Sequence, residues 1–258
     1  MFAKEGKLTT VLSAIAGFLL LLCIILASIQ WVAGDKSFYE KQFKLTDGKG
    51  QDAYQRAGME HDELWRVTDE LVDYLFGRND TLQTQATING EIADVYSKTE
   101  IDHMVDVQKL MKGAITTKWL ALALGLSLLL FVFLTLERRF RLAALCKGYL
   151  LGMAAFFLLA LAVGLFALLD FDSFFTLFHR IFFSNDLWIL DSRDFLIQIV
   201  PQMFFENFVA RVAVIFGLTV LLSGLLAGFL YVWRKNDGKI FTSRNAKKEN
   251  ITKKQAPR

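Results

Sequence analysis

The chain has 258 residues, of which 54% are hydrophobic, and its mean hydropathy is +0.37. This composition excludes an ordinary soluble domain. Its two cysteines, Cys23 and Cys146, lie in different regions of the sequence, which excludes a disulfide framework and a thiolate metal site. The formal net charge of +3 conceals an asymmetry, because short basic segments alternate with longer acidic ones.

Four apolar segments are long enough to cross a bilayer. None of them contains Asp, Glu, Lys, Arg or His, so a transporter or channel with charged groups in its spans is disfavoured. The first segment exceeds the roughly 7–15 apolar residues of a signal peptide and is predicted to be an uncleaved anchor. The four segments are Val11–Ala33, Trp119–Leu136, Tyr149–Leu169 and Val212–Trp233.

The charges between these segments predict their orientation. The connector 137–147 and the tail after Trp233 are basic, whereas the two longer loops are acidic on balance. Since Lys and Arg collect on the cytoplasmic side, both termini are expected inside and both long loops outside. The sequence thus predicts an α-helical integral membrane protein with four transmembrane helices and a small exoplasmic cap, which is helical or α+β. Its predicted parts are an N-terminal transmembrane helix (1–34), an exoplasmic segment (35–116), transmembrane helices 2 and 3 with a short cytoplasmic connector (117–170), an exoplasmic interfacial loop (171–207), transmembrane helix 4 (208–234) and a basic cytoplasmic tail (235–258).

The first exoplasmic segment contains signals for a helix and a hairpin. Apolar residues recur at helical spacing from Leu64 to Leu75, and Gly77 is placed to end that helix in a left-handed cap. Asn89-Gly90 lies between two apolar stretches and is a strong signal for a tight hairpin turn.

A second helix is predicted from a capping box formed by Ser97 and Glu100, with an expected end at Gly113. His103 lies about one turn into this helix, and Asp106 follows on the same face. A carboxylate at that spacing can hold one ring nitrogen of the imidazole and leave the other free to act as a base.

The second exoplasmic loop is rich in aromatic residues. Six phenylalanines surround a single His179 between Phe171 and Asp191, and aromatic rings favour the membrane boundary. Asp172-Ser173 is predicted to cap a short interfacial helix through about Phe183, which Ser184–Asp186 then interrupts. A lone histidine in such a helix is either a hydrogen-bonding residue or a proton-transfer group, and both interpretations stay open.

Small residues and one arginine mark the membrane helices. Pro201 is predicted to open the helix that becomes the fourth span. Arg211, at the outer end of that span, either extends to the lipid headgroups or binds a carbonyl or phosphate oxygen. The spacings Gly148–Gly152 and Gly224–Gly228 allow close helix approach.

Only three histidines are present, namely His61, His103 and His179, and all lie in the predicted outer segments. His61 lies in a highly charged stretch and is interpreted as an exposed helix residue. A zinc site built from the three imidazoles is an alternative, but no spacing such as HExxH or CxxC supports it. A Ser-His-Asp hydrolase that uses Ser97 or Ser184 is another alternative, but the sequence lacks the G-x-S-x-G motif that would support it.

Two histidines at the membrane boundary, without a protein nucleophile, favour a substrate that supplies its own nucleophile. The histidines would remove a proton from it and return one to the leaving group. Acyl transfer within a lipid-modified molecule fits this requirement. The spacing assigns Asp106 as an orienting residue and Asn185, Asp186 and Arg211 as polar supports.

Two segments resemble those of a known family. The first resembles its S-x-x-E-I-x-H-M-x-D-V segment and comprises Ser97, Glu100, Ile101, His103, Met104, Asp106 and Val107. The second comprises Phe178, His179, Ile181, Phe182, Phe183, Asn185, Asp186 and Trp188, followed by Leu196, Ile197, Pro201, Phe204 and Phe205. The family is the Gram-positive lipoprotein intramolecular transacylases with their integral-membrane relatives.

This resemblance implies that the substrate is a lipoprotein whose N-terminal cysteine carries a thioether-linked diacylglycerol. The enzyme would move the sn-2 acyl chain to the α-amino group of that cysteine and give the lyso-form lipoprotein. His103 and His179 match the two key histidines of the family, and no cofactor or metal is implied. The expected partners are diacylglyceryl-modified lipoproteins and membrane lipids, and no nucleic acid is expected. A non-enzymatic accessory protein that binds lipoproteins and a metal-dependent hydrolase remain the competing hypotheses.

Overall fold

A computed structural model describes residues 6–255, with side chains described as far as residue 234. The basic tail predicted for residues 235–258 therefore lies outside the described side chains. In chain order the elements are α1 (Lys7–Ala33), α2 (Lys36–Phe43), α3 (Ala53–Ala57), α4 (His61–Leu75), β1 (Gln85–Ile88), β2 (Glu91–Asp94), α5 (Lys98–Thr135), α6 (Arg138–Leu169), α7 (Phe171–Phe182), α8 (Phe195–Ile199) and α9 (Gln202–Gln255).

The four predicted transmembrane helices are confirmed as helices. Among residues 6–255, four helices are long and apolar enough to cross a membrane: α1, α5, α6 and the part of α9 from Gln202 to Arg234. The remaining elements are short helices and one two-stranded sheet, so the fold is the predicted helical one with a small β component.

Helix α5 is longer than the sequence predicted. Its 38 residues extend about 57 Å at 1.5 Å per residue, well beyond the roughly 30 Å of a bilayer core. Its apolar part begins at Trp119, so residues 98–118 lie outside the membrane-spanning segment. The predicted helix end at Gly113 was wrong, because no proline follows and good helix formers flank the glycine on both sides.

The chain divides into two compact units. The bundle unit comprises residues 6–23, 120–160 and 217–255, and the site unit comprises residues 24–119 and 161–216.

The bundle unit contains parts of α1, α5, α6 and α9. A side chain at Gly152 would lie 2.3 Å from the carbonyl oxygen of Ala14, and one at Gly148 would meet Ser13. Helices α1 and α6 therefore approach so closely that only glycine fits at these two positions. Helices α6 and α9 are joined by a 2.6 Å hydrogen bond between the hydroxyl groups of Tyr149 and Ser223.

The site unit has its own apolar core. It is centred on aromatic and aliphatic residues of α2 and α4, including Phe38, Phe43, Leu64 and Val67, all at most 3% exposed. The ring of Phe38 contacts that of Phe204 at 5.2 Å between centroids, which joins α2 to the first turn of α9.

Local sequence signals within the site unit are confirmed. Gly77, with φ 72°, follows the end of α4 in the left-handed conformation. Strands β1 and β2 pair antiparallel across Asn89 (φ 51°) and Gly90 (φ 87°), the two positive φ values of a type I′ turn.

The start of α7 differs from the prediction by two residues. The N-cap is Asp170, whose carboxylate accepts a 3.0 Å hydrogen bond from the Ser173 backbone N–H. Asp172 lies in the first turn of the helix instead. Because it directly precedes Ser173 in the sequence, its side chain cannot cap the Ser173 N–H. The helix ends at Phe182, just before the predicted interruption, and α9 begins directly after Pro201 as predicted.

Candidate active site

His103 and His179 come together in the site unit although 75 residues separate them in sequence. His103 lies on α5, one turn after its capping box, and His179 lies near the end of α7. Their ring centroids are 6.2 Å apart and the ring planes are inclined by 33°. Both residues are buried, with 9% and 7% of their surfaces exposed, so the two rings lie near each other and largely away from bulk water.

The environment of His179 fixes its orientation and its tautomer. Its Nδ1 lies 2.7 Å from the backbone oxygen of Phe175. Since a carbonyl oxygen only accepts hydrogen bonds, Nδ1 carries the proton of the neutral ring and Nε2 has a free lone pair. The ring stacks on Trp188 at 4.8 Å and lies 4.1 Å from the Phe175 ring. His179 therefore presents a proton-accepting nitrogen from an aromatic enclosure.

His103 has a different environment. Its ring meets Phe183 edge to face at 5.4 Å, and neither ring nitrogen has a hydrogen-bond partner among the residues that the structure describes. Burial lowers the pKa of His103, the neighbouring His179 lowers it further and Asp106 partly offsets both effects, so that this pKa lies at about 4. Burial also lowers the pKa of His179, against a raising effect of its bond to Phe175. Both imidazoles are therefore neutral near pH 7.

Asp106 bonds to a neighbouring loop rather than to the imidazole. Its carboxylate accepts hydrogen bonds from the side chains of Asn185 at 2.8 Å and Lys109 at 3.0 Å. These two bonds lower the pKa of Asp106, and neither oxygen bonds to His103. The sequence spacing predicted a direct bond to the ring, but Asn185, 79 residues away, occupies the carboxylate instead.

Glu100 makes a second link between α5 and the same loop. It is 1% exposed, and its two carboxylate oxygens accept 2.7 Å hydrogen bonds from the backbone N–H groups of Ser97 and Leu196. The bond to Ser97 completes the predicted capping box, whereas the bond to Leu196 had no signal in the sequence. Glu100 and Asp106 lie three residues before and after His103, and together they hold the two ends of the loop 185–196.

Trp188 lies within this held loop and stacks on His179. It belongs to the motif recognised in the sequence, but no functional role followed from it there. An aromatic face also favours an adjacent cation, so Trp188 stabilises the imidazolium that would form if Nε2 accepted a proton.

The other predicted site residues lie apart from this arrangement. Asp186 is exposed, and its side chain makes no hydrogen bond or ion pair with the described residues. Arg211 is paired with Asp35 and lies over the Phe38 ring at 5.3 Å, so it joins α9 to the start of α2. His61 is exposed as predicted, and its Nε2 accepts a 3.0 Å hydrogen bond from the Trp65 indole.

The ligands of a metal site are not assembled in the described part of the chain. No group of three or more His, Cys, Asp or Glu side chains there could hold a metal ion. The zinc site considered from the three histidines thus finds no support in their positions.

Comparison with known proteins identifies the family. The family model described as lipoprotein intramolecular transacylase Lit matches residues 14–205, which include both histidines and both loops. The chain belongs to the lipoprotein intramolecular transacylase family. Its function is accordingly that of a lipoprotein intramolecular transacylase in a membrane. Curated protein sequences give no significant match.

Solved structures of the Bacillus cereus transacylase Lit share the fold. One has a TM-score of 0.67 at 19% identity and covers 92% of this chain and 100% of its own. A variant with one histidine replaced by alanine gives a TM-score of 0.66 at 19% identity, covering 91% and 97%. A variant with that histidine replaced by arginine gives 0.61 at 18% identity, covering 91% and 93%.

Proposed function

We propose that this transacylase moves the sn-2 acyl chain of an S-diacylglyceryl cysteine to the α-amino group of that cysteine, with His103 and His179 transferring the proton. The observation that carries the proposal is the placement of two buried neutral imidazoles at 6.2 Å between centroids. No serine or cysteine nucleophile is needed, because the substrate contains both the amine and the ester.

The reaction balances within one substrate molecule. The amine nitrogen attacks the ester carbonyl, the new N–C bond forms, and the C–O bond to the glycerol breaks. One proton leaves the nitrogen and one reaches the glycerol oxygen, so no water, oxidant or cofactor is consumed. Holding amine and ester on one bound molecule makes the attack effectively unimolecular.

His179 takes the proton from the amine in this proposal. Its Nε2 has the free lone pair, since Nδ1 donates to the Phe175 carbonyl, and Trp188 stabilises the resulting imidazolium. His103, whose ring nitrogens have no hydrogen-bond partner among the described residues, donates an N–H hydrogen bond to the oxygen of the leaving glycerol. The proton that Nε2 of His179 accepted passes to that oxygen, so both rings end neutral. Asp106 and Asn185 support the site by holding the loop that carries Trp188. Arg211 remains as a weaker support that acts through α2, and Asp186, whose side chain has no hydrogen-bond partner among the described residues, has no part in this proposal.

The proposed lipoprotein substrate enters from the bilayer, with its amine at the outer surface. The acidic balance of both long loops and the basic connector support an outward-facing site with cytoplasmic termini. The same charges give no basic surface for nucleic acid on these loops.

A crossover experiment with the purified enzyme tests this function. Two synthetic diacylglyceryl lipopeptides, differing in peptide sequence and in isotopically labelled sn-2 chain, are mixed with the enzyme in detergent and a chelator. Each product should keep its own acyl chain, now on nitrogen, at an unchanged rate in the chelator. Exchange of chains between peptides, or release of free fatty acid as the main product, would refute the intramolecular cofactor-free reaction.

A further inference from the structure

A cavity of the site unit lies where α1 meets α2, beside the end of α4. Its volume is about 500 Å³, and its lining includes Gln30, Trp31, Lys36, Phe76 and Arg78. None of these residues contacts either histidine of the candidate active site, and the transacylation chemistry makes no use of them.

Two positive side chains line this cavity and a third lies beside it, although the segment 35–116 is acidic on balance. Lys36 and Arg78 line it, and each also pairs with an exposed aspartate, Asp69 and Asp73 respectively. Lys118 donates to the Oε1 of Gln30, so its hydrogen-bond partner is a neutral amide. The one carboxylate in the lining, Asp35, is already bound by Arg211 and by the first turn of α2.

Gln30 provides an independent sign of a missing partner. The residue is only 9% exposed, and its Nε2 has no hydrogen-bond acceptor among the described residues. A buried N–H donor without an acceptor is unfavourable. An oxygen atom bound in the cavity would satisfy it, beside the cations that favour a negative charge.

The surrounding tryptophans place the cavity at the membrane boundary. Trp31 is 69% exposed at the end of the α1 apolar segment, and Trp119 is 59% exposed at the start of the α5 apolar segment. Tryptophan is enriched at this depth, where the headgroups lie. Lys118 lies over the Trp119 ring at 4.9 Å, which fixes a positive charge at the same level.

We propose that this cavity binds the phosphate group of an anionic membrane phospholipid. Lys36 and Arg78 contact the phosphate oxygens, Gln30 donates its unused N–H to an oxygen of the headgroup, and Trp31 covers the glycerol. Inorganic phosphate offers the same oxygens but no chain to lie along the apolar segment of α1, so the lipid is the expected ligand.

Native mass spectrometry of the full chain tests this site. The protein is reconstituted in nanodiscs of phosphatidylcholine alone or of equal parts phosphatidylcholine and phosphatidylglycerol, and the lipid retained after transfer to detergent is counted. Phosphatidylglycerol should be retained preferentially, and Arg78→Gln or Lys118→Gln should lower its retention about fivefold each. Lys98→Gln, which removes an exposed cation from the first turn of α5, is the matched control and should leave retention unchanged.

The outcomes separate the possible sources of the phosphate. Retention that persists in excess inorganic phosphate supports a lipid ligand, whereas complete displacement by inorganic phosphate overturns it. Equal retention by the wild type and both variants also overturns the site. Activity of the variants toward a lipopeptide in phosphatidylcholine nanodiscs verifies their folding and does not depend on this proposal.

Discussion

The two imidazoles share one aromatic enclosure but differ in what holds them. His179 is fixed by the Phe175 carbonyl and by the face of Trp188, whereas the buried ring nitrogens of His103 have no hydrogen-bond partner in the described part of the chain. A low-polarity environment disfavours the charged form of each ring, and a second imidazole nearby disfavours it further. The site therefore holds two neutral imidazoles at a pH where an exposed histidine begins to titrate.

The lowered pKa values predict the pH dependence of the reaction. The substrate amine, with an ordinary pKa of about 7.7–8.0, must be neutral to attack, so the logarithm of the rate should fall with unit slope below that range. Burial and the nearby His179 hold the pKa of His103 at about 4, and burial lowers the pKa of His179 below 6.5, so neither ring is half protonated when the pH falls to 6.5. The unit slope should continue through pH 6.5 in single-turnover measurements with a lipopeptide, and a steeper slope beginning there would contradict the account.

Glu100 is predicted to position His103 rather than to contact the substrate. Glu100→Gln removes one of two acceptors and leaves either Ser97 or Leu196 with a poorly matched backbone N–H. Displacement of reacting groups by about 1 Å can cost up to about 10²-fold in rate, so kcat should fall about ten- to a hundredfold while KM changes little. Asp102→Asn on the same helix, where the carboxylate pairs with exposed Lys98 and with no other described residue, is the control and should leave kcat unchanged. A rise in KM alone for Glu100→Gln would mean that this carboxylate acts on substrate binding.

At the scale of elements, helix approach in the bundle unit depends on two glycines of α6. Gly152→Ala would place a methyl group 2.3 Å from the Ala14 carbonyl oxygen, which is backbone and cannot move aside without shifting α1. Such overpacking typically lowers the free energy of unfolding by about 1–3 kcal/mol, so the midpoint temperature of thermal unfolding in detergent should fall.

Gly228→Ala provides the matched control for that variant, because no described atom lies within 4 Å of the added methyl group. This variant should leave the midpoint temperature unchanged or raise it slightly, because alanine has a better helix propensity than glycine. Equal destabilisation by both substitutions would show that Gly152 is not required for the close approach of α1 and α6.

Turns and helix ends that are set by neighbouring residues could be predicted from the sequence, whereas contacts between distant elements could not. The Asn89-Gly90 turn, the capping box of Ser97 and the end of α4 at Gly77 depend on a few neighbouring residues. The end of α5 was misjudged because Gly113 alone does not outweigh helix formers on both sides. The bonds of Asp106 to Asn185 and of Glu100 to Leu196 depend on how α5 meets the loop 185–196, which no sequence spacing records.

The approach of the two histidines is an intermediate case. The resemblance to a known family identified both residues as candidates, and both lie in segments that the sequence predicts to be outside the membrane. Their separation and the tautomer of His179 follow only from the packing of α7 beside α5. The tight pair Gly148 and Gly152 was likewise indistinguishable from Gly224 and Gly228 by spacing.

At the scale of the whole molecule, the charge distribution predicts which side of the membrane the site faces. With Cys23 and Cys146 replaced by serine, Gly48→Cys in the exposed loop after α2 should react with a membrane-impermeant maleimide in intact bacteria. Arg139→Cys, in the basic connector, should react only after the membrane is opened. The reverse pattern would place the histidines on the cytoplasmic side, away from the expected lipoprotein substrate.

The central claim is that His103 and His179 together carry the proton transfer of transacylation. Mass spectrometry of lipoprotein N-terminal peptides from cells that depend on this chain tests it most directly, using His103→Ala, His179→Ala and, as the control, His61→Ala. The wild type and His61→Ala should give the lyso form, with one acyl chain on the cysteine nitrogen and one on the glycerol. His103→Ala and His179→Ala, each slower by about 10²–10⁴-fold, should leave both chains on the glycerol while the protein is still present in the membrane. Normal amounts of N-acylated lyso-form peptide from either variant would contradict the account.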